Sequence, residues 1–163
     1  MATGAALAVS SQLAGAVTQQ TVGRVDIQPR DIVTEHGGML YFGEMKVGTA
    51  GGTITLSNDG THTFTVAGDV VHLGEGYEGR VKIQGEQNHN VTVTVDGTFT
   101  LSATTLAEAG DLTVTTNPQS DTFMLQAANG EWNYFHIGGT LTIPENQPAD
   151  IYTGEYNVTV NYQ

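Results

Sequence analysis

Strict alternation of apolar and polar residues at 156–162 is the feature that most limits how this chain can fold. Tyr156, Val158, Val160 and Tyr162 share one parity; Asn157, Thr159 and Asn161 take the other. A period of two places the two sets on opposite faces of a β-strand. A shorter strand from Gly138 and a Pro-bounded turn precede it, and no strand is expected to follow it. Its outer edge would then present unpaired N–H and C=O groups, which an all-β domain must manage.

The same period recurs along the chain. Val91, Val93 and Val95 alternate with Thr92 and Thr94, and Thr53-Ile54-Thr55-Leu56 alternates as cleanly. Further strands are expected through Phe64 and Val66, Val81 and Ile83, Phe99 and Leu101, Leu112 and Val114, and Phe123 and Leu125. Residues 22–33 read as the first strand of the body, with Val25 and Ile27 on one face and a break at Pro29. Gly37-Gly38 reads as a turn, residues 39–43 as a short strand and residues 105–109 as one helical turn. Asn58-Asp59-Gly60 and Asn129-Gly130 supply hairpin chemistry, and Asp96-Gly97 a further turn. About ten short strands punctuated in this way predict a β-sandwich or barrel. The irregular residues 70–79 suit a crossing between sheets, which favours the sandwich.

Ahead of the body lies a second alternating stretch. Ala5, Leu7, Val9, Ser11, Leu13, Gly15 and Val17 fall on one face of residues 5–17, an extended arm of about 43 Å at about 3.3 Å per residue. A polar run at residues 18–21 separates it from the rest, so residues 1–21 are expected to form an arm and tether and residues 22–163 one domain. The apolar run near the N-terminus is weak and no Lys or Arg precedes Arg24, unlike an export signal. The arm is therefore expected to belong to the mature chain. Burying Leu7, Val9, Leu13 and Val17 would contribute about 6–12 kcal/mol in gross transfer terms, at about 1.5–3 kcal/mol per side chain.

Charge and composition narrow the partners. The net charge is −12, with Lys and Arg only at Arg24, Arg30, Lys46, Arg80 and Lys82. Such a surface repels phosphate backbones, so neither nucleic acid nor an anionic membrane is an expected partner. No segment has the about 18 apolar residues of a membrane-spanning helix. The chain has no Cys, which removes disulfides, thiolate metal sites and cysteine catalysis.

Motifs that carry chemistry are missing. His36, His62, His72, His89 and His136 include no pair at i, i+2 or i, i+4, so no metal site is expected. His62 reads as a solvent-facing strand residue and His89 as a turn residue. Asn58-Asp59-Gly60 resembles a calcium loop only superficially, because the alternate acidic positions and the closing Glu are absent. Glu75 and Glu78 flank Tyr77 and could be imagined as an acid/base pair, yet nothing in the sequence fixes their separation. Trp132 and Tyr134 could stack on a sugar, but one Trp with alternate neighbours is more often core or edge packing. No catalytic residue, metal ligand or cofactor is assigned, and the chain is not expected to be an enzyme.

The closing stretch also carries a resemblance. Gly138-Gly139-Thr140-Leu141-Thr142-Ile143-Pro144, Gln147-Pro148-Ala149, Tyr152-Thr153-Gly154 and Tyr156-Asn157-Val158-Thr159-Val160-Asn161-Tyr162 together resemble the C-terminal motif of a bacterial secreted family known only as a domain of unknown function. That family is similar to spore-coat-U-like and archaic chaperone–usher pilins. Leu40-Tyr41-Phe42-Gly43 and Gly52-Thr53-Ile54-Thr55-Leu56-Ser57 match its N-terminal half, so the resemblance spans residues 22–163. Asp150 departs from the Gly usual after Pro-Ala.

The resemblance implies an incomplete immunoglobulin-like β-sandwich, completed by an N-terminal donor strand from a neighbouring subunit. It implies an acceptor groove walled by Val25, Ile27, Tyr156, Val158, Val160 and Tyr162, with residues 5–17 as donor. Tyr162 and Gln163 would contact a periplasmic assembly chaperone before an outer-membrane usher exports the subunit. The product would be a homopolymer, an extracellular fimbrium at the cell surface, reached through the periplasm and serving adhesion to a host or abiotic surface or biofilm formation. The alternative is a monomeric, self-complemented surface module that binds glycans through Tyr77, Trp132 or Tyr134, or packs in a surface array.

Overall fold

A computed structural model describes Val25 and residues 27–163. The donor-arm residues 5–17 lie outside the described residues. The described chain is all-β, with strands β1 (Val33–Gly38), β2 (Met45–Leu56), β3 (Phe64–His72), β4 (Gly79–Gln84), β5 (Asn90–Val95), β6 (Thr98–Ala103), β7 (Leu112–Asn117), β8 (Ser120–Met124), β9 (Asn133–Ile143), β10 (Tyr152–Thr153) and β11 (Val158–Tyr162). One sheet runs β1-β4-β9-β7-β6-β10, with β2 also on β9 and β3 beyond β2; the other is β11-β5-β8. The result is the expected sandwich-like fold.

The long strand β9 joins the two halves. Its first part pairs with β4, from Ile83↔Asn133 to Gly79↔Ile137. Its second part pairs with β2, from Leu56↔Gly139 to Gly52↔Ile143. Gly138-Gly139 marks the change of partner. A Cβ on Gly138 would run into the carbonyl oxygens of Leu56 and Ser57, so the crossing requires glycine.

Each half has its own core. Ile54, Leu56, Val70, Leu112, Val114, Leu141 and Ile143 fill the curled larger sheet with Phe42. Ile83, Val91, Val93, Val95, Leu125, Phe135 and Ile137 fill the space between the β1-β4-β9 sheet and the β11-β5-β8 sheet. Each such side chain contributes about 1.5–3 kcal/mol by leaving water.

Several local expectations are corrected. Val25 and residues 27–32 form no strand: β1 begins at Val33 and runs through Gly37-Gly38, where a turn was expected. There the strand passes close to Arg80, and a Cβ on Gly37 would meet the Arg80 carbonyl oxygen at 2.9 Å. Residues 39–43 contribute only an isolated bridge, Tyr41↔Tyr77. Residues 105–109 make a turn, with the Ala109 N–H donating to the Leu106 carbonyl, and no helix. Asn129-Gly130 does not close a hairpin, because β8 pairs with β5 while β9 pairs in the other sheet. Local turn chemistry reverses the chain but does not choose the strand's next partner.

Candidate functional site

Edge strands of a sheet expose backbone donors and acceptors, and natural sheets blunt them with bulges, short strands or inward-pointing charges. β1 has a register shift at His36/Gly38. β3 faces a shift between Val47 and Gly52 and carries Gly68 at φ 83. β10 has two residues. On β8, the Asp121 carboxylate accepts the Thr122 N–H at 2.8 Å. None of these devices occurs on β11, which pairs with β5 without interruption from Val158↔Val95 to Tyr162↔Val91.

Hydrogen bonds at its two ends fix which way each β11 residue points. The Asp96 N–H donates to the Asn157 carbonyl at 3.0 Å, and the Gln163 N–H donates to the Asn90 carbonyl at 3.1 Å. Antiparallel pairing alternates, so Thr159 and Asn161 also bond toward β5. The backbone groups of Val158, Val160 and Tyr162 therefore point outward, to an edge that no described strand covers.

Burial falls off at this edge. On β5, Val91 and Val93 are 0% exposed and Val95 3%. Their partners on β11, Tyr162, Val160 and Val158, are only half-buried, as is Tyr156 just before the strand. On the facing sheet Ile83 is fully buried in β4, whereas Thr34 and His36, on the same face of β1, are exposed. The core thus thins between β1 and β11. A cleft of about 440 Å³ opens there, lined by residues 28–32 together with Val160, Asn161 and Tyr162.

Two tyrosines span the gap. The Tyr162 hydroxyl donates to the Arg30 carbonyl at 2.7 Å and accepts the Glu86 N–H at 2.7 Å. The Tyr156 ring packs against Phe99 with centroids 4.9 Å apart, and its hydroxyl reaches Gly79. Burial pushes the Tyr156 phenol above its ordinary pKa. Glycine is needed where each phenol arrives: a Cβ on Gly85 would lie 2.6 Å from the Tyr162 hydroxyl, and one on Gly79 would overlap that of Tyr156.

The expected groove residues fall into two sets. Tyr156, Val158, Val160 and Tyr162 line the gap. Val25 and Ile27 lie outside any strand at 79% and 86% exposure, and the cleft wall beside β11 is made instead by residues 28–32. Ile32 is the residue from that segment that packs on the core. Gln163 lies across the outer face, its Nε2 donating to Thr92 Oγ1 at 3.1 Å and Thr122 Oγ1 at 2.8 Å.

The imagined acid/base pair is not one. Glu78 is 1% exposed and accepts hydrogen bonds from the Gly60 and His62 N–H groups, the Ser57 hydroxyl and His136 Nδ1 at 2.9 Å. Burial pushes its carboxyl upward, but the two amides, Ser57 and His136 together hold it below its ordinary value. It ties the β2–β3 loop to the sheet, while Glu75 accepts the Tyr77 hydroxyl at 2.7 Å. His62 lies in that loop at φ 55, where a strand residue was expected. No local pattern signals this buried carboxylate, because its donors come from residues 57–62 and from β9.

Asp150 clamps the β6–β7 loop. Its carboxylate accepts from the Thr105, Leu106 and Ile151 N–H groups and from the Thr104 and Thr105 hydroxyls. Desolvation opposes the charge, yet the Leu106, Thr105 and Ile151 amides bring its pKa down to about 2. Tyr77, at 47% exposure, stacks near Tyr41; Tyr134 is 46% exposed, and Lys82 sits 5.7 Å from the Trp132 ring. Among the described residues no three His, Asp or Glu side chains gather where they could hold a metal ion.

The described residues form an all-β, sandwich-like domain in which no described strand covers β11, beside a half-buried part of the core. The chain belongs to the DUF4402 family, a domain of unknown function, which matches residues 32–162. No curated protein and no solved structure matches it.

Proposed function

We propose that this protein is the structural subunit of an extracellular bacterial filament, assembled by strand exchange. The β11 edge accepts residues 5–17 of a neighbouring subunit, and Leu7, Val9, Leu13 and Val17 fill the gap between β1 and β11. The observation that carries this reading is the drop in burial from β5 to β11 at an edge that no described strand covers. An added strand satisfies the outward groups of Val158, Val160 and Tyr162 and covers the exposed apolar side of the core. Because donor and acceptor are different segments of the chain, the contact is heterologous and propagates into a fibre.

The resemblance to chaperone–usher pilins supports the same reading. It adds a periplasmic chaperone that holds the β11 edge before assembly, an usher that exports the subunit, and a role in adhesion or biofilm. Tyr162 does more than offer a handle: its hydroxyl fixes residue 30 across one end of the groove. Deleting residues 1–17 tests the proposal. The truncated chain should fail to polymerise, and filaments of normal length from it would contradict the reading.

A further inference from the structure

The second edge of the small sheet is built differently. The Val95 N–H donates to the Gln119 carbonyl and the Leu125 N–H to the His89 carbonyl, so Asp121 and Phe123 also bond toward β5. The backbone groups of Ser120, Thr122 and Met124 therefore face away from the sheet. On this edge the central donor is taken. Asp121 shares its parity with Phe123 and Leu125, which pack into the core, and lies opposite the buried Val93. From that inward row its carboxylate turns to the rim and accepts the Thr122 N–H at 2.8 Å.

We propose that β8 is a latent strand-pairing surface for a second copy of this chain, and that Asp121 keeps it shut. The geometry selects the partner. Outward groups at Ser120, Thr122 and Met124 are self-complementary about Thr122, so two β8 strands can pair antiparallel across a two-fold axis, Ser120 opposite Met124. Such pairing would join two three-stranded sheets edge to edge. The Asp121 carboxylate blocks it by occupying the one donor at the centre and by bringing two like charges together at the junction. The inference stands apart from the strand-exchange reading, because β8 and β11 are opposite edges of the sheet.

Full-length Asp121→Thr is compared with wild type, and with Asp111→Thr as a charge-matched control, by light scattering over a range of concentrations. The assembled mass of D121T should double relative to wild type as concentration rises, with slowed amide exchange at Thr122, and D111T should match wild type. Adding Thr122→Pro to D121T removes the outward N–H at an edge position that tolerates proline and should return the mass to the wild-type value. Unchanged mass in D121T, equal gain in D111T, or persistence in the double variant would overturn the proposal.

Discussion

The Tyr162 hydroxyl and the Arg30 carbonyl are hydrogen-bonded at 2.7 Å, joining the closing strand to the segment that leads into β1. The same oxygen accepts the Glu86 N–H, so one phenol ties together three pieces of chain at one end of the groove. Tyr162→Phe keeps the ring and leaves both partners without it. The expected loss is about 1–3 kcal/mol in urea unfolding, with faster amide exchange at Glu86. A variant as stable as wild type would mean that water replaces the phenol without cost.

Neighbouring positions on β11 should respond oppositely to proline. The Val160 N–H points to the open edge, so Val160→Pro should fold and yet fail to assemble. The Thr159 N–H bonds to β5, so Thr159→Pro should destabilise the body itself, by about 1–3 kcal/mol for the ladder hydrogen bond removed. Circular dichroism separates folding from assembly, which electron microscopy reads. Filaments from V160P would show that the outward donor is not used.

Depressed carboxylates, Glu78 and Asp150 among them, contribute to the acid limit of the fold. Glu78 and Asp150 are both held below their ordinary values of 4.5 and 3.8, Asp150 at about 2. A depressed carboxyl contributes stability that is fully present above its unfolded value and is lost as pH falls through its folded value. Stability should therefore decline below about pH 4.5 and continue to fall toward pH 2. Glu78→Gln and Asp150→Asn should each be less stable at neutral pH and show a shallower acid decline in thermal unfolding. Glu78→Ala should cost more than Glu78→Gln, because it removes the acceptor from the Gly60 and His62 amides and leaves a gap at a buried position. A decline as steep as wild type in both Gln and Asn variants would assign the acid response to other groups.

What the sequence revealed followed from periodicity. The inward rows of β5 and β11 were legible because valine and threonine alternate there without glycine. β9 was harder: Gly138-Gly139 looks like a break, yet it is where an unbroken strand crosses another backbone and changes partner. Gly37-Gly38 misleads for the same reason, since its glycines make room for Arg80 within β1. Val25 and Ile27 alternate as a strand would, but Pro29 follows and pairing with β4 begins only at Val33. Turn residues at 129–130 say that the chain reverses, and only tertiary contacts decide that it then enters the other sheet. The Glu78 cluster and the Asp121 guard depend on partners brought together by pairing, which no local pattern encodes.

Strand exchange itself can be read directly because the chain contains no cysteine. Full-length chains carrying Cys at Val160 and a second Cys at Leu7, Val9, Ser11 or Leu13 are oxidised and run on a non-reducing gel. A disulfide needs Cβ atoms about 3.8 Å apart, so only positions in true register will join. Strand exchange between subunits predicts a covalent ladder for at least one of these pairs, dissolved by reductant. Oxidised monomers closed on themselves, or no disulfide at any of the four positions, would contradict it.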